Sequence, residues 1–134
     1  MQKTFRLLVM TPEKEFFNDD VAQIIISTPD GDMGIMAEHM PVIAVVTESV
    51  LRVERDGVWH NAAIGQGFLE MTSGAVELFV DSAEWGEEID VTRSEMALHR
   101  AEERLLTNLS HTGHLQAHAA AARATARINA ARGY

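Results

Sequence analysis

The residues best placed to do chemistry are charged side chains near the start of a predicted helix. Asp90, Arg93, Arg100 and Arg104 are separated by three, seven and four positions. Side chains three or four residues apart on a helix are neighbours, so a helix over residues 91–106 places these groups near one face. One carboxylate beside three guanidinium groups could form half of an anion site. A ladder of solvated ion pairs is the more ordinary interpretation of such a stripe.

The same stretch contains two signals for the start of a helix. Asp90 is a favoured N-cap residue, because its carboxylate can accept a backbone N–H of the first turn. Thr92 and Glu95 fit a capping box, in which the glutamate reaches back to the cap. The sequence leaves open which of Asp90 and Thr92 is the cap, but both predict that a helix begins here.

Charge is divided unevenly along the chain, whose net charge is −9. Of the 20 acidic residues, 16 precede residue 89, whereas six of the 11 basic residues follow residue 88. Phosphate contacts need clustered Lys and Arg, so the acidic N-terminal part argues against nucleic acid as a partner. The mildly basic C-terminal part could dock on an acidic protein surface.

The 134 residues are near the typical size of one domain, although two small modules are also compatible with this length, and they include no cysteine. This composition excludes a disulfide framework and a thiolate metal site. No run reaches the ~18 apolar residues that span a bilayer, and the N-terminus lacks the apolar segment of a signal peptide. We therefore expect a protein of the reducing cytosol.

The N-terminal two thirds of the chain are expected to be strands joined by turns. Period-two alternation, β-branched runs and turn residues predict strands over residues 4–10, 21–28, 42–47, 50–54, 58–64 and 76–81. Asp56-Gly57 predicts a tight hairpin turn, since both central residues of that turn need a positive φ. Residues 42–47 are apolar throughout, like a buried strand, and 34–41 are expected to be a loop. This spacing is typical of a β-sandwich or barrel.

The last third of the chain is expected to be helical. Leu98, Ala101 and Leu105 recur at helical spacing within residues 91–109, and residues 115–131 are rich in alanine. Gly113 is expected to stop the first helix, which gives an αα-hairpin. Burying an alanine methyl yields ~0.8 kcal/mol, against roughly 1.5–3 for a leucine side chain. We therefore expect a hairpin that is held loosely.

Taken together, these segments resemble the epsilon subunit of bacterial F-type ATP synthase over essentially the whole chain. The order and spacing of several short motifs make the resemblance specific. They are TPE at 11–13, GDMGIMAEHMPVIA at 31–44, GQGFLE at 65–70, an AE…EID stretch over 83–90 and HRAEERL at 99–105.

The resemblance implies an α+β fold, with an N-terminal antiparallel β-sandwich over residues 1–86 and a C-terminal two-helix antiparallel hairpin over residues 87–134. It implies a non-catalytic central-stalk rotor subunit that binds the gamma subunit and the c-ring and turns with them. In such proteins the hairpin can extend toward the alpha and beta catalytic subunits and inhibit ATP hydrolysis. The implied location is peripheral, on the cytoplasmic face of the bacterial plasma membrane.

The resemblance also implies two sets of site residues. A regulatory ATP, with no obligatory cofactor or metal, would be bound by Glu84, Ile89, Asp90, Arg93, Arg100, Arg123 and Arg127. The c-ring and gamma contact would use Gly31, Asp32, Met33, Gly34 and His39. Two departures stand beside these sets. Ser94 occupies a position where the family motif has alanine, and Ala37-Glu38 replaces a Pro-Gly pair.

Three histidines offer an alternative from another functional class. His111, His114 and His118 are spaced by three and four residues, which suits a metal on a helix face. Gly113 is expected to break the helix between them, and no carboxylate or cysteine lies nearby in sequence. Histidines of a hairpin turn are the more ordinary interpretation. The alternative function is a free-standing sensor of a small molecule or nucleotide.

Overall fold

Two five-stranded sheets pack face to face in a computed structural model of the chain, which describes residues 3–133. The strands are β1 (Phe5–Met10), β2 (Glu15–Val21), β3 (Gln23–Thr28), β4 (Gly31–Met36), β5 (Val42–Val46), β6 (Ser49–Arg55), β7 (Val58–Ile64), β8 (Gly67–Thr72), β9 (Ala75–Val80) and β10 (Ala83–Trp85). A 3₁₀ helix (Gly86–Glu88), α1 (Val91–Leu105) and α2 (His111–Arg132) follow. The order is β2-β1-β9-β8-β5 in the first sheet and β10-β7-β6-β3-β4 in the second.

The sandwich has its own hydrophobic core between the sheets. Leu7, Leu69 and Leu78 of the first sheet, with Ile24 and Leu51 of the second, are fully buried. Within the described chain, no residue of α1 or α2 belongs to this core. Each buried leucine or isoleucine contributes roughly 1.5–3 kcal/mol by leaving water. The sandwich therefore does not depend on the helices for its interior.

Two of the strand predictions are confirmed in detail. Phe5, Leu7 and Val9 of β1 are all buried, as their alternation predicts. Asp56 and Gly57 join β6 to β7 with φ angles of 53° and 78°, the positive values that the hairpin turn needs. The sandwich is antiparallel as expected except at one pairing, because β1 and β9 run parallel.

Two other strand predictions are wrong, and both concern the same end of the sandwich. The loop expected from residue 34 begins only after Met36, because Gly31–Met36 pairs with β3 as an edge strand. The strand expected to be buried, β5, is the other edge strand, and only Val46 in it is buried. A continuous apolar run does not distinguish a buried strand from one whose faces are open at an edge.

Gly65 and Gly67 lie where other parts of the chain approach closely. A Cβ at Gly67 would lie 1.8 Å from the Phe79 carbonyl oxygen, and one at Gly65 would lie 1.5 Å from a carboxylate oxygen of Asp81. The neighbour of Gly67 is backbone and cannot rotate away, so only glycine leaves room for that contact.

The first helix begins where it was predicted and ends earlier. Asp90 is the N-cap of α1, since its carboxylate accepts the Arg93 N–H at 3.1 Å. The helix ends at Leu105 rather than at residue 109. The Thr107 hydroxyl donates to the Arg104 carbonyl at 2.7 Å and so satisfies one of the free carbonyls at this end.

The prediction that Gly113 stops a helix is wrong, because α2 begins at His111. Ser110 is its N-cap, and its hydroxyl accepts the Gly113 N–H at 3.1 Å. The N–H groups of a first turn have no carbonyl partner within the helix. The Ser110 hydroxyl supplies a partner for the N–H of Gly113. The glycine that ends α2 is Gly133, which has a φ of 79°.

Candidate functional site

The helical hairpin rests on the outer face of the second sheet through small side chains. Ala63 of β7, Ile89, Ala126 and Ala130 form a buried cluster, and Val50 packs at its border. Each alanine methyl contributes only ~0.8 kcal/mol. The contact area between the hairpin and the sandwich therefore stabilises the docked arrangement weakly, in line with the size of the residues in α2.

The backbones of the two parts approach closely at Gly86, in the 3₁₀ helix that follows β10. A Cβ added there would lie 2.3 Å from the carbonyl oxygen of Ala130 in α2. Such a distance is well inside van der Waals contact with a backbone atom, which cannot rotate away as a side chain can. Gly86 is thus required for the docked position of α2.

Two ion pairs join the hairpin to the sandwich within residues 3–133. Arg127 of α2 donates to one oxygen of Glu84 from Nη2 at 2.7 Å and from Nε at 3.1 Å. Arg123, one turn earlier, lies 3.5 Å from Glu48. A charged group with two short hydrogen bonds is held more firmly than one with a single long contact, so the Arg127 pair is the stronger of the two.

A cavity of about 380 Å³ lies beside the Arg127 pair, between α1, α2 and the edge of the second sheet. Three of the residues expected to bind ATP line it, namely Glu84, Arg123 and Arg127. The structure therefore brings together residues that are 43 positions apart in the sequence. In this arrangement both arginines face carboxylates, Glu48 and Glu84, rather than an external anion.

Two arginines of α1 that were expected at the ATP site do not line the cavity, but they are helical neighbours of a residue that does. Ala97 of α1 lines it, and Arg93 and Arg100 flank Ala97 at four and three residues, which places them on its side of the helix. The ladder of solvated ion pairs is not formed, since Arg93, Arg100 and Arg104 make no ion pair with any described residue. Their charges are free for another partner.

The other two residues expected at the ATP site have structural roles here. Ile89 is buried in the cluster beneath the hairpin, and the Asp90 carboxylate caps α1. Ser94, which stands where the family motif has alanine, is buried, and its hydroxyl donates to the Asp90 carbonyl at 3.0 Å. The hydrogen-bonding capacity of the added hydroxyl is therefore used within α1, and no unsatisfied donor is left at this buried position.

The three histidines considered for a metal all lie on α2, because Gly113 does not interrupt it. The His114 and His118 rings are 6.3 Å apart. In the part of the chain that the structure describes, no group of three His, Asp or Glu side chains is arranged to hold a metal ion.

The residues expected to contact the c-ring and gamma lie at the open edge of the second sheet. Gly31, Asp32, Met33 and Gly34 belong to edge strand β4. His39 follows in the loop to β5, and its ring stands edge-on to Phe5 at 5.5 Å. Neither ring nitrogen of His39 has a hydrogen-bond partner among residues 3–133.

The replacement of Pro-Gly by Ala37-Glu38 leaves the loop with a glycine-like backbone. Glu38 has a φ of 66°, a left-handed value that costs a residue with a Cβ roughly 1–2 kcal/mol. Lys3 contacts the Glu38 carboxylate at 2.5 Å, but both side chains are exposed, so this pair adds little.

An apolar surface at the same end of the molecule is larger than the sequence indicated. Met40 and Ile43 are 82% and 72% exposed, and Met36 of β4 and Val45 of β5 are also exposed. We call these four residues the apolar edge. Exposed apolar clusters of this kind mark interaction sites. The signal in the sequence was the apolar run of β5 directly after Met40-Pro41, which also fits a buried strand.

In the described residues, no helix is long and apolar enough to cross a membrane.

Comparison with known proteins agrees with this architecture. Residues 4–86 match the family described as ATP synthase, Delta/Epsilon chain, beta-sandwich domain, and residues 87–132 match its long alpha-helix domain. The ATP synthase epsilon chain of Caldanaerobacter subterraneus subsp. tengcongensis is 38% identical, with 100% of this chain and 98% of the relative covered. That of Alkaliphilus oremlandii is 43% identical over 78% of each chain.

Solved structures show the same fold at lower identity. A chain of the Euglena gracilis mitochondrial ATP synthase superposes with a TM-score of 0.81 at 24% identity, covering 89% of this chain and 76% of that one. A chain of the Tetrahymena thermophila mitochondrial ATP synthase central stalk and c-ring gives 0.69 at 16%, covering 97% and 98%. With both parts of the chain matched and close bacterial relatives along its length, this protein belongs to the ATP synthase delta/epsilon chain family as an epsilon chain.

Proposed function

We propose that this chain is a non-catalytic rotor subunit of the central stalk of a proton-translocating F-type ATP synthase. In this role the sandwich binds the gamma subunit and the c-ring and couples their rotation to ATP synthesis. The hairpin limits ATP hydrolysis by docking on the alpha and beta catalytic subunits. The complex places the chain at the cytoplasmic face of the plasma membrane, held there through its partners.

The observation that carries this proposal is the division of the molecule into a self-sufficient sandwich and a weakly attached hairpin. The sandwich core contains no helix residue among those described. The hairpin contact consists of small side chains and two ion pairs within residues 3–133. A part that is attached in this way can leave its docking face without unfolding the rest.

The apolar edge supports the partner assignment. It adjoins β4 and the 37–41 loop, so it is continuous with the residues expected to contact the c-ring and gamma. Burying this edge against a partner would remove exposed Met, Ile and Val side chains from water. Family membership disfavours the alternative of a free-standing sensor, which would have no use for such a surface.

Removing the hairpin should release ATP hydrolysis. A chain truncated after Glu88, assembled with the other subunits, is expected to give a higher hydrolysis rate than the full chain, because the six arginines of residues 89–134 are absent. Steady-state hydrolysis by the reconstituted complex measures this effect. Quantifying the truncated chain in the purified complex is the control. An unchanged rate at full occupancy would exclude the inhibitory role.

A regulatory ATP site in the docked hairpin is supported by the cavity beside Arg127. Arg123 and Arg127 line it, and Arg93 and Arg100 lie about one turn to either side of Ala97, the α1 residue of its wall. Guanidinium groups bind phosphate oxygens in pairs of hydrogen bonds. A triphosphate entering the cavity would exchange the carboxylates of Glu48 and Glu84 for its own oxygens. Bound ATP would thereby hold the hairpin on the sandwich and keep it from the catalytic subunits.

Calorimetry of the isolated chain tests this site. We expect ATP to release or absorb heat on binding, and Arg127→Ala to weaken binding about tenfold or more, since a hydrogen bond to a charged group contributes roughly 1.5–3 kcal/mol. Arg104→Ala is the matched control, because Arg104 lies seven residues beyond Ala97, about two turns along α1 from the part of the helix that lines the cavity. No heat at millimolar ATP, or equal losses in both variants, would remove the site.

A further inference from the structure

Glu48 is a carboxylate that the docked hairpin covers without fully compensating. It lies in the turn between β5 and β6, and its side chain is only 9% exposed. One oxygen faces Arg123 of α2 at 3.5 Å. The other oxygen is fully buried and has no hydrogen-bond partner in the described residues. A buried acceptor without a partner is destabilising, and more so when it is charged.

At the same interface, the negative charge of Glu84 is fully compensated by hydrogen bonds and water. Glu84 receives two hydrogen bonds from Arg127, at 2.7 and 3.1 Å, and its side chain is 32% exposed, so water reaches it as well. Glu48 has only one hydrogen bond from an arginine, at the longer distance of 3.5 Å, and its side chain is less accessible to water. Of the sandwich carboxylates that pair with an arginine of α2 among the described residues, Glu48 is the one whose negative charge opposes docking.

The other charged and titratable groups near Glu48 do not change this balance. Arg123 faces it from α2, and Asp81 adds a like charge from the turn after β9. A groove of about 640 Å³ on this side of α2 is lined by Glu48 together with Asp32, Arg52 and His118. Burial raises the pKa of the Glu48 carboxyl, Arg123 opposes that shift, and Asp81 adds to it.

We propose that Glu48 links docking of the hairpin to proton uptake, so that protonation of its carboxyl favours the docked state and deprotonation favours release. The proposal rests on the proposed function in one respect, namely that the hairpin can leave the sandwich. Released, the hairpin no longer covers Glu48, and the carboxylate regains water on the side that α2 occupied.

The direction of the pH effect follows from linkage. The docked state has the higher Glu48 pKa, so it binds more protons than the released state between the ordinary glutamate pKa, about 4.3, and the raised value. Docking is therefore strongest below the ordinary pKa and weakens as the pH rises through the raised one. A simple Glu48–Arg123 salt bridge would give the opposite trend, with docking lost in acid.

The experiment uses the full chain and two measurements. The chain has no cysteine, so Gln116→Cys on α2 and Thr72→Cys on β8, both exposed, provide a fluorophore pair that reports docking between pH 4 and 8. In parallel, carbon-13 NMR follows the titration of the Glu48 carboxyl itself. Both are repeated in Glu48→Gln, which mimics the protonated side chain.

We expect docking to increase as the pH falls and the Glu48 carboxyl to titrate above the ordinary value. Glu48→Gln should raise the ratio of docked to released hairpin at pH 7.5 by about tenfold, the size expected when a buried unpaired charge is removed, and should flatten the pH profile. Glu102→Gln, on the exposed side of α1, is the matched carboxylate control and should change neither.

Three results would overturn the proposal. They are a Glu48 pKa at or below the ordinary value, a pH profile that persists in Glu48→Gln, and a profile that is lost in His118→Asn, which would assign the titration to the histidine. The NMR titration measures the Glu48 pKa directly, so it tests the first of these results even if the hairpin is docked at every pH. None of these results bears on hydrolysis by the truncated complex, so the two proposals fail separately.

Discussion

Gly86→Ala is expected to detach the hairpin from the sandwich while the sandwich stays folded. The new methyl would lie 2.3 Å from the Ala130 carbonyl oxygen, so either α2 or the 3₁₀ helix must move. Overpacking of this kind costs about 1–3 kcal/mol. The hairpin contact consists largely of alanine methyl groups, with Ile89 as its one large buried side chain, so it contributes little stabilisation that could offset this cost. We therefore expect the docked population to fall tenfold or more.

Hydrogen exchange read residue by residue measures this loss. Amides of α2 should exchange faster in Gly86→Ala, whereas amides of β1, β8 and β9 should keep their protection, because these strands contain no contact with the hairpin cluster. Gly34→Ala is the matched control, since a Cβ there has no atom within 4 Å. Unchanged α2 protection would show that the 3₁₀ helix absorbs the methyl and that Gly86 does not hold the hairpin in place.

Leu78→Ala is expected to destabilise the whole protein by about 2–5 kcal/mol, the range found when a leucine is truncated in a packed core. Leu78 is fully buried at the centre of the first sheet. Urea unfolding followed by the fluorescence of Trp85, which packs against the core, measures the change in the free energy of unfolding.

The matched control for this prediction is Leu106→Ala, just beyond the end of α1. Leu106 is 88% exposed, and its truncation should change stability by no more than about 0.5 kcal/mol. Comparable losses in the two variants would mean that the helical part contributes as much to global stability as the sandwich, contrary to the separate cores described above.

The features that sequence reasoning predicted well are those set by neighbours in the chain. The alternation in β1 and the Asp56-Gly57 turn need only a few consecutive residues, and both are confirmed. The Asp90 cap is equally local. The error at Gly113 is also instructive, since a serine three residues upstream decides where the helix begins. Gly113 alone predicts a stop, but together with Ser110 it fits a first turn.

The features that were missed depend on distant partners. The exposure of β5 follows from its position at the end of the sheet order, which no property of residues 42–46 specifies. The partner of Arg123 is 75 positions away in sequence, and that of Arg127 is 43. The resemblance brought Glu84 and Arg127 into one site, but Glu48 was not among the expected residues, because a lone glutamate in a turn carries no local signal.

The alanine composition of the hairpin contact has a consequence for solubility. When α2 lifts away, the newly wetted surface consists mainly of alanine methyl groups, with the side chains of Val50 and Ile89. Patches of that kind are too small and too flat to capture other unfolded or partly assembled chains. A leucine-rich contact would hold the hairpin more tightly, yet each opening would expose a large hydrophobic surface to other chains. Small side chains thus let the hairpin open repeatedly with little risk of aggregation.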